Sequence, residues 1–556
     1  MVAVVVCCAV LHPIHAIVVD PSRHESRVTP KPVDLAATGV PLEFIRRSDT
    51  PTGARSTTSA VPHAPVIYEI STRPWLYFLS QKYNRTIRLA TIPTSEFEAL
   101  AKQGIQVIWM MGVWHLGEYG LHYDQTNPGL LKQYSQVLPG YTQADIIGSP
   151  YAITNYTMNP AIGTSTDLAN LRALLHSLGM QLCLDFVPNH SAVDATWTSS
   201  HPEYYIQKPS SGSFPSDYWV SWDGHTLAHG RDPYDAPWAD TCQYNYWQPS
   251  FAKAMMAQLV ELAAVTDMLR CDMSMLILND VIEVTWGSVM SANGFTRPPT
   301  EFWEVAIKAA KAANPNLVMM AECYNYGITK PLPEDETLQS MGFDYTYDKG
   351  ILDKLKADNL NDLRAAVASR GNAFYQKTCH FVSNHDEPRA AAALGGDQQG
   401  FVGAVVTSTL PGARMFYFGQ FQGFSSRLLV QLRREVAQPI NHTVWGLYDQ
   451  LVKIVDNPVF HQGTWTNIPT STSGTEWRLV AWRWALGSHK RLVVVNFSNE
   501  QGWGNIVVAD ASAPSGDQLT ITELFSGVSY NRSATTMRTT GLTVGVNAWG
   551  AQIFMY

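Results

Sequence analysis

Residues 267–280 read DMLRCDMSMLILND, an apolar run with a charged pair in its middle. Its composition is that of a buried β-strand, and Arg270 and Asp272, two positions apart, point to the same face of such a strand. A buried ion pair adds little stability, because desolvation offsets much of the attraction between its charges. We therefore interpret the pair as functional, on a strand that belongs to the core of the fold.

Seven further apolar runs of strand length occur between residues 66 and 419, and helical patterns separate them. Two of these helices are predicted at residues 165–179 and 250–265. Strands that alternate with helices indicate βα units around a parallel sheet, and eight such units predict a (β/α)8 TIM barrel. The eight predicted strands are residues 66–70, 107–111, 182–187, 268–273, 317–322, 343–348, 379–384 and 414–419.

The parts outside this pattern differ in composition. Residues 191–246 are rich in Pro, Gly, Ser and aromatic residues, which predicts a small insertion domain after strand three of a catalytic barrel at 65–435. Residues 1–16 contain an apolar run too short to span a bilayer and predict a signal peptide. Residues 17–64 have the composition of a leader or linker.

The C-terminal part, residues 440–556, is rich in β-strand formers separated by turn residues. Four runs, at residues 491–498, 518–525, 541–546 and 551–556, predict strands. This pattern is typical of a separate antiparallel β-sandwich domain.

The composition excludes several classes of protein. A formal net charge of −8 without a long Lys/Arg run argues against a nucleic-acid partner. No later stretch is long and apolar enough for a membrane anchor, and the seven cysteines lack the spacing of a zinc site or a disulfide scaffold. The 17 Trp and 24 Tyr supply flat amphipathic rings that suit sugar faces, although any single ring is more often part of a core.

Polar residues collect where four of the predicted strands end. Active sites of (β/α)8 barrels lie at the carboxyl ends of the strands, so we expect three acids and two histidines to converge on one mouth. The residues in question are Asp185, Asn189 and His190 after strand three, Arg270 and Asp272 on strand four, Glu322 after strand five, and Asn384, His385, Asp386 and Arg389 after strand seven.

These four clusters resemble the signatures of the α-amylase family, glycoside hydrolase family 13. The matching stretches are DFVPNH, LRCDM, AECY and SNHDEPR, and SPYAITNY resembles the stretch that supplies a stacking tyrosine. The resemblance covers roughly residues 65 to 556 and implies a retaining α-glycosidase. It implies that Asp272 is the nucleophile, that Glu322 is the general acid/base, and that Asp386 holds sugar hydroxyls and helps to distort the ring.

The resemblance also implies roles for five substrate-binding residues. Arg270 would keep the nucleophile ionised and oriented, and His190 and His385 would bind hydroxyls of the cleaved sugar. Tyr151 would stack on the face of that sugar, and Arg389 stands where some members clamp the terminal sugar.

The chemistry of retaining hydrolysis fits these residue types. It needs two carboxyl groups about 5–5.5 Å apart, one to attack the anomeric carbon and one to protonate the leaving oxygen. The attacking carboxylate is kept ionised by a neighbouring arginine. The proton donor needs a raised pKa, which the nearby charges of Asp272 and Asp386 would supply.

The sequence departs from the family pattern at several positions. Met275 and Leu276 stand where many members carry Lys-His, so the subsites for the leaving group must differ. Ala152 follows Tyr151 where exo-acting members often have Asp, which leaves endo and exo action open.

The calcium site of α-amylases also departs from the pattern. It uses the asparagine of the first signature, here Asn189, and an aspartate of the insertion domain, where Gln243 stands. A hard cation prefers several oxygen ligands, mostly carboxylates. The sequence therefore predicts that no cofactor is required, although a structural calcium ion stays an open alternative.

Three functions are weighed on this basis. The first is a secreted, monomeric α-glycosidase acting on α-glucans or α-glucosides, that is, on oligo- or polysaccharides. The second is a transglycosylase or isomerase of the same family, with substrates of the sucrose or trehalose type. The third is a non-catalytic accessory or sugar-binding relative, which the three retained acids and the lack of an anchor disfavour.

Secretion would expose the chain to N-glycosylation, and the sequence predicts a glycoprotein. Six N-x-[ST] sequons are present. They start at Asn84, Asn155, Asn189, Asn441, Asn496 and Asn531.

Overall fold

The computed structural model describes residues 60–471 and 474–556. Eight parallel strands close into a barrel in which each strand pairs with its neighbours in chain order, which confirms the predicted fold class. The predicted signal peptide and most of the predicted leader, residues 1–59, lie outside the described residues. The barrel strands are β1 Val66–Ser71, β2 Val107–Met111, β3 Gln181–Phe186, β4 Met268–Cys271, β5 Val318–Ala321, β6 Tyr345–Tyr347, β7 Thr378–His380 and β8 Ala413–Tyr417.

Strand β4 is shorter than the predicted 268–273, and the reason is a single residue. Met273 has φ 40°, a left-handed conformation that ends the extended backbone. Asp272 is nevertheless held in line, because its N–H donates to the carbonyl oxygen of Phe186 on β3 at 2.8 Å. The predicted nucleophile therefore lies immediately beyond the carboxyl end of its strand, fixed by a backbone hydrogen bond.

The helices surround the barrel, and both helices predicted by range are present. The first spans Ser165–Ser177, with Thr164 as its N-cap. Thr164 forms a capping box with Asp167, whose N–H bonds the Thr164 hydroxyl at 3.2 Å. The helices are Thr72–Lys82, Thr94–Gln103, Glu118–Thr126, Pro128–Val137, Ser165–Ser177, Thr196–Ser200, Pro249–Val265, Asn279–Ala292, Phe302–Ala313, Glu334–Met341, Lys349–Lys356, Leu360–Ser369, Gly371–Tyr375, Ala390–Leu394, Asp397–Thr409, His442–Val455, Val459–Gln462 and Ala534–Thr539.

In the part of the chain that the structure describes, no helix combines the length and hydropathy needed to cross a membrane.

A long excursion connects β3 to the helix Pro249–Val265. It contains two short antiparallel pairs, His190–Ala192 with Thr241–Gln243, and Trp219–Trp222 with His225–Ala228. The first pair joins the beginning of the excursion to its end, so both ends lie beside the carboxyl end of β3. The domain limits proposed from the sequence stay predictions. One further pair, Trp114–Leu116 with Ile153–Met158, lies between β2 and β3.

The C-terminal part forms two antiparallel sheets that share one core. Leu492 and Val494 of the larger sheet and Ile506 and Val544 of the smaller sheet belong to the same buried cluster. The larger sheet has the strand order Thr464–Ile468, Leu479–Leu486, His489–Asn496, Gly550–Met555, Gln518–Glu523 and Ser529–Ser533. The smaller sheet pairs Gly502–Ile506 with Leu542–Val546. This part contacts the barrel through the indole N–H groups of Trp482 and Trp484, which both donate to the carbonyl oxygen of Thr409.

Candidate active site

The guanidinium group of Arg270 connects the two acids to which the sequence assigns the chemistry. Its Nη1 lies 2.6 Å from Asp272 Oδ1, and its Nη2 lies 2.6 Å from Glu322 Oε2. The side chains of Arg270 and Glu322 have no exposed surface, and that of Asp272 is 6% exposed. One cation thus holds the carboxyl groups after β4 and β5 beside each other.

Three aromatic rings enclose the same guanidinium group. Its Cζ lies 5.1 Å from the ring centre of Tyr151, 5.3 Å from that of Trp109 and 5.7 Å from that of Tyr347. Aromatic faces attract a cation and fix its plane without competing for the carboxylates. Tyr151 is therefore brought into the cluster, and its stacking on a sugar stays a prediction, whereas Tyr347, on β6, was not recognised in the sequence.

Glu322 is held by hydrogen bonds at both carboxyl oxygens. Oε2 accepts from the backbone N–H of Met273 at 2.8 Å, and Oε1 accepts from the hydroxyl of Tyr324 at 2.8 Å. Burial raises the pKa of Glu322 to about 7, against the opposing effect of Arg270, and the charges of Asp272 and Asp386 raise it further. Desolvation is thus the first cause of the raised pKa, ahead of the neighbouring charges that the sequence suggested.

Asp272 experiences the same opposition of burial and charge. Burial raises the pKa of its carboxyl group, while the charge of Arg270 and the hydrogen bond from it act in the opposite direction. The arginine therefore offsets part of the desolvation cost of an ionised carboxylate in this position.

Asp386 lies in a tight turn that its own segment stabilises. Asn384 Oδ1 accepts from the backbone N–H groups of Asp386 at 3.0 Å and of Glu387 at 2.8 Å. Asp386 Oδ2 is 3.1 Å from His385 Nε2, and the hydroxyl of Tyr151 is 2.9 Å from the same nitrogen. These contacts bring the segment after β7 to the ring that contacts Arg270.

His385 is positioned from behind by Glu69, a buried acid on β1. Glu69 Oε1 lies 2.6 Å from His385 Nδ1 and also accepts from the backbone N–H of His385 at 3.2 Å. Burial disfavours a charged imidazole, but Asp386 and Glu69 outweigh that effect and raise the pKa of His385 well above its ordinary value. Glu69 was not recognised in the sequence. A charged residue inside the apolar run VIYEIS could have indicated it, as Arg270 was indicated inside its own strand.

His190 lies in a different environment. Burial lowers the pKa of His190 to about 3, so its imidazole is neutral near pH 7. The ring packs edge-on against Trp238 at 5.0 Å between ring centres. A neutral imidazole offers one donor and one acceptor, which is the capacity needed for a sugar hydroxyl.

Arg389 is engaged by the segment that follows β8. Its Nη2 is 2.8 Å from Glu435 Oε1, its Nε donates to Ser426 O at 3.2 Å, and its Nη1 donates to Phe418 O. The side chain of Arg389 is 2% exposed, so little of its surface is accessible to a terminal sugar. The same segment places Arg427 beside the acids, since its Nη2 donates to the carbonyl oxygen of Asp386 at 2.8 Å.

The residues at the position of the family's calcium site do not fit that ion. Gln243 Nε2 donates to both Asn189 Oδ1 and Asn189 O at 2.9 Å, and Asn189 Nδ2 donates back to Gln243 Oε1 at 3.3 Å. The two amides thus satisfy each other, and neither offers the carboxylate that calcium prefers. Among residues 60–471 and 474–556, no group of three or more His, Cys, Asp or Glu residues has an arrangement that could hold a metal ion.

A closed βα barrel with paired acids at the carboxyl ends of neighbouring strands defines a barrel enzyme of the glycosidase type. The family model described as "Alpha amylase, catalytic domain" matches residues 94–445, which is more than half of the chain. The chain belongs to the alpha-amylase family of glycoside hydrolases.

Similar sequences match this chain over limited stretches. Alpha-glucosidase of Apis mellifera is 39% identical over 67 residues, covering 11% of this chain and 12% of that protein. Amino acid transporter heavy chain SLC3A1 of Rattus norvegicus is 30% identical over 99 residues, covering 18% of this chain and 13% of that protein. Alpha-1,4-glucan:maltose-1-phosphate maltosyltransferase of Rhodospirillum rubrum is 24% identical over 248 residues, covering 43% of this chain and 30% of that protein. The matches therefore span a third or less of these three relatives.

Among solved structures, an alpha-amylase from Geobacillus thermoleovorans superimposes with a TM-score of 0.61 at 14% identity, covering 89% of this chain and 98% of that chain. At this identity the likeness shows the fold alone.

The contact between Glu69 and His385 leads to a testable expectation. Glu69→Gln keeps the size and the acceptor oxygen but removes the charge, so the pKa of His385 should fall and unfolding should become easier by about 1–3 kcal/mol. The measurements are an NMR titration of selectively labelled histidine and denaturant unfolding. Glu96→Gln, in an ion pair with the half-exposed Lys82, is the control and should cost under about 1 kcal/mol. An unchanged His385 pKa would contradict the assigned contact.

Proposed function

We propose that the protein is a retaining α-glycosidase that hydrolyses α-glucosidic bonds in α-glucans or α-glucosides. The observation that carries the proposal is the bridge from Arg270 to both Asp272 and Glu322. It places the carboxyl group of Asp272, whose charged form Arg270 stabilises by its charge and a hydrogen bond, next to that of Glu322, whose pKa is raised to about 7. An acid that can give up a proton near pH 7, beside a carboxyl group whose charged form an arginine stabilises, is what the double displacement requires.

In the first step, Asp272 attacks the anomeric carbon while Glu322 gives its proton to the leaving glycosidic oxygen, which takes the electron pair of the broken bond. The product is a covalent glycosyl ester on Asp272. Glu322, now ionised, then removes a proton from a water molecule whose oxygen attacks the anomeric carbon, and Asp272 leaves as the carboxylate. Two inversions give net retention of the anomeric configuration.

The neighbouring side chains bind the sugar in this proposal. Tyr151 offers its ring face, Asp386 and His385 share the hydroxyls of the cleaved sugar, and neutral His190 binds a further hydroxyl. Because Arg389 is already bonded to the segment after β8, Arg427 is better placed for contacts at the Asp386 side of the site.

The decisive experiment follows product anomers by NMR. Purified protein is incubated with starch, maltooligosaccharides, sucrose and trehalose, and the α-anomer should form first from an α-linked substrate. Asp272→Asn should lower the rate by at least about 10³-fold and leave the fold intact, because it removes the nucleophile. Asp267→Asn, just before β4 in an ion pair with Arg172 and His176, is the matched control and should keep the activity of the native site.

Two results would overturn the proposal. First-formed β-anomers would exclude retention, and near-normal activity of Asp272→Asn would remove the nucleophile assignment. The resemblance to a maltosyltransferase favours glycosyl transfer as the second candidate, in which a sugar hydroxyl replaces water in the second step. Transfer products in excess of free sugar would select it, and no turnover of any substrate would select the non-catalytic alternative.

We propose that the enzyme needs no metal ion at the Asn189–Gln243 pair. The mutual amide hydrogen bonds join the two ends of the excursion after β3, which is the role a bound ion would otherwise serve. A strong chelator should therefore leave both activity and the thermal unfolding midpoint unchanged. A fall in the midpoint that added calcium reverses would contradict this expectation.

We further propose that the protein is secreted as a glycosylated monomer, on the basis of the apolar run near its N-terminus and its sequons. Asn84 and Asn531 are exposed, whereas Asn189 and Asn496 are buried and their amides bond neighbouring groups. Peptide mapping of protein from the growth medium should find glycans at Asn84 and Asn531 and none at the buried pair. Retention of the protein inside cells would contradict secretion, and sedimentation tests the monomer.

A further inference from the structure

The smaller C-terminal sheet, far along the chain from the acids, carries an exposed tryptophan on its outer face. This sheet pairs Gly502–Ile506 with Leu542–Val546, and Trp503 lies opposite Gly545. The side chain of Trp503 remains 53% exposed. An indole exposed on this two-stranded sheet offers a large apolar surface to a ligand.

Gly545 allows the indole to lie flat. A Cβ atom built on Gly545 would be 2.7 Å from three atoms of the six-membered ring of Trp503. Because those three atoms are equally close, one face of the ring covers the glycine, and the opposite face is turned to solvent. The two neighbours of Trp503 on its own strand, Gly502 and Gly504, have no side chains that could crowd the edge of the ring.

Uncharged polar pairs stand on both sides of this ring. Thr543 donates its hydroxyl to Asn505 Oδ1 at 2.7 Å on one side, and Gln501 Nε2 donates to Asn547 Oδ1 at 3.2 Å on the other. These bonds fix the amides and still leave the amide N–H₂ of each asparagine and the side-chain Oε1 of Gln501 for a ligand.

The outer face thus consists of six residues, and none of their side chains is ionisable. Side chains alternate across a sheet, so every second residue of each strand faces outward, while the inward positions Ile506, Leu542, Val544 and Val546 are buried in the C-terminal core. The outward positions are Gln501, Trp503, Asn505, Thr543, Gly545 and Asn547, and all but Gly545 are exposed.

We propose that this face is a second carbohydrate-binding site, which holds a stretch of α-glucan chain outside the active site. The inference rests on the proposed function for the identity of the sugar. A flat apolar ring flanked by fixed amides matches a pyranose, which has an apolar C–H face and hydroxyls around its edge.

A protein partner fits the same surface less well. Stable protein interfaces bury about 800 Å² on each partner and involve roughly 20–30 residues a side. A face of six residues that spans about 13 Å along each strand is much smaller than that. A charged ligand is also disfavoured, because none of the six side chains supplies an opposite charge.

The test is binding to glycogen by affinity electrophoresis, in chains that also carry Asp272→Asn so that the polymer is not consumed. Trp503→Ala should weaken the association roughly tenfold, while Trp503→Phe should retain most of it. Tyr530→Ala is the matched control, because Tyr530 is an exposed aromatic residue of the other C-terminal sheet, and it should bind like the parent. The same three substitutions with Asp272 intact should leave turnover of a short oligosaccharide unchanged.

A second variant separates binding from any loss of packing over Gly545. The double substitution Gln501→Ala and Asn505→Ala removes the amides but keeps the indole, and it should also weaken glycogen binding. Equal binding by all variants, or no glycogen binding by the parent, would overturn the proposal. If the native chain hydrolyses short α-glucosides in either of those cases, the proposed function stands while the second site fails. If it hydrolyses none of them, the proposed function fails independently.

Discussion

The geometry of the site depends on one cation, the guanidinium group of Arg270, which is buried away from water. Arg270 has no exposed side-chain surface, and two carboxyl groups, three ring faces and a tyrosine hydroxyl at 3.4 Å from Nε take the place of solvent. Replacing either acid by an apolar residue would leave Arg270 with incomplete compensation, which is far more costly than the pair is stabilising, whereas an amide in place of Asp272 can still accept a hydrogen bond from Arg270. The contacts of both carboxyl groups with Arg270 therefore fix the positions of Asp272 and Glu322 relative to each other.

A second buried charge network, which also contacts Tyr151, has the same arrangement of one cation between two acids. There a histidine is the cation, and Glu69 and Asp386 are its two partners. Tyr151 touches both networks, through its ring to Arg270 and through its hydroxyl to His385. The ring that would stack on the sugar is consequently held from two sides before any substrate binds, which lowers the entropy that binding must remove.

Much of this arrangement could be predicted from the sequence, because runs of buried residues with charges at their ends are a local signal. All eight barrel strands were recognisable for that reason, as were the acids that follow them. The contacts of Arg389 could not be predicted in this way. Its ion pair is with Glu435, which lies 46 positions later in a segment without periodicity. The strand Gly502–Ile506 was also missed, because the letters GWGN resemble a turn until the pairing with Leu542–Val546 is known.

The stretch after Asp272 departs from the family pattern in its side chains, yet its backbone still helps to position Glu322. Met273 turns the chain with a left-handed backbone, and this turn aims its N–H at Glu322 Oε2, while the next N–H, of Ser274, bonds the carbonyl oxygen of Glu322. Met275 and Leu276, where relatives carry Lys-His, are then buried at 0% and 4% exposure. Side chains packed in this way are not available to bind the hydroxyls of a leaving group. The polar side-chain contact to Glu322 Oε1 comes instead from the segment after β5, where the hydroxyl of Tyr324 donates to it at 2.8 Å.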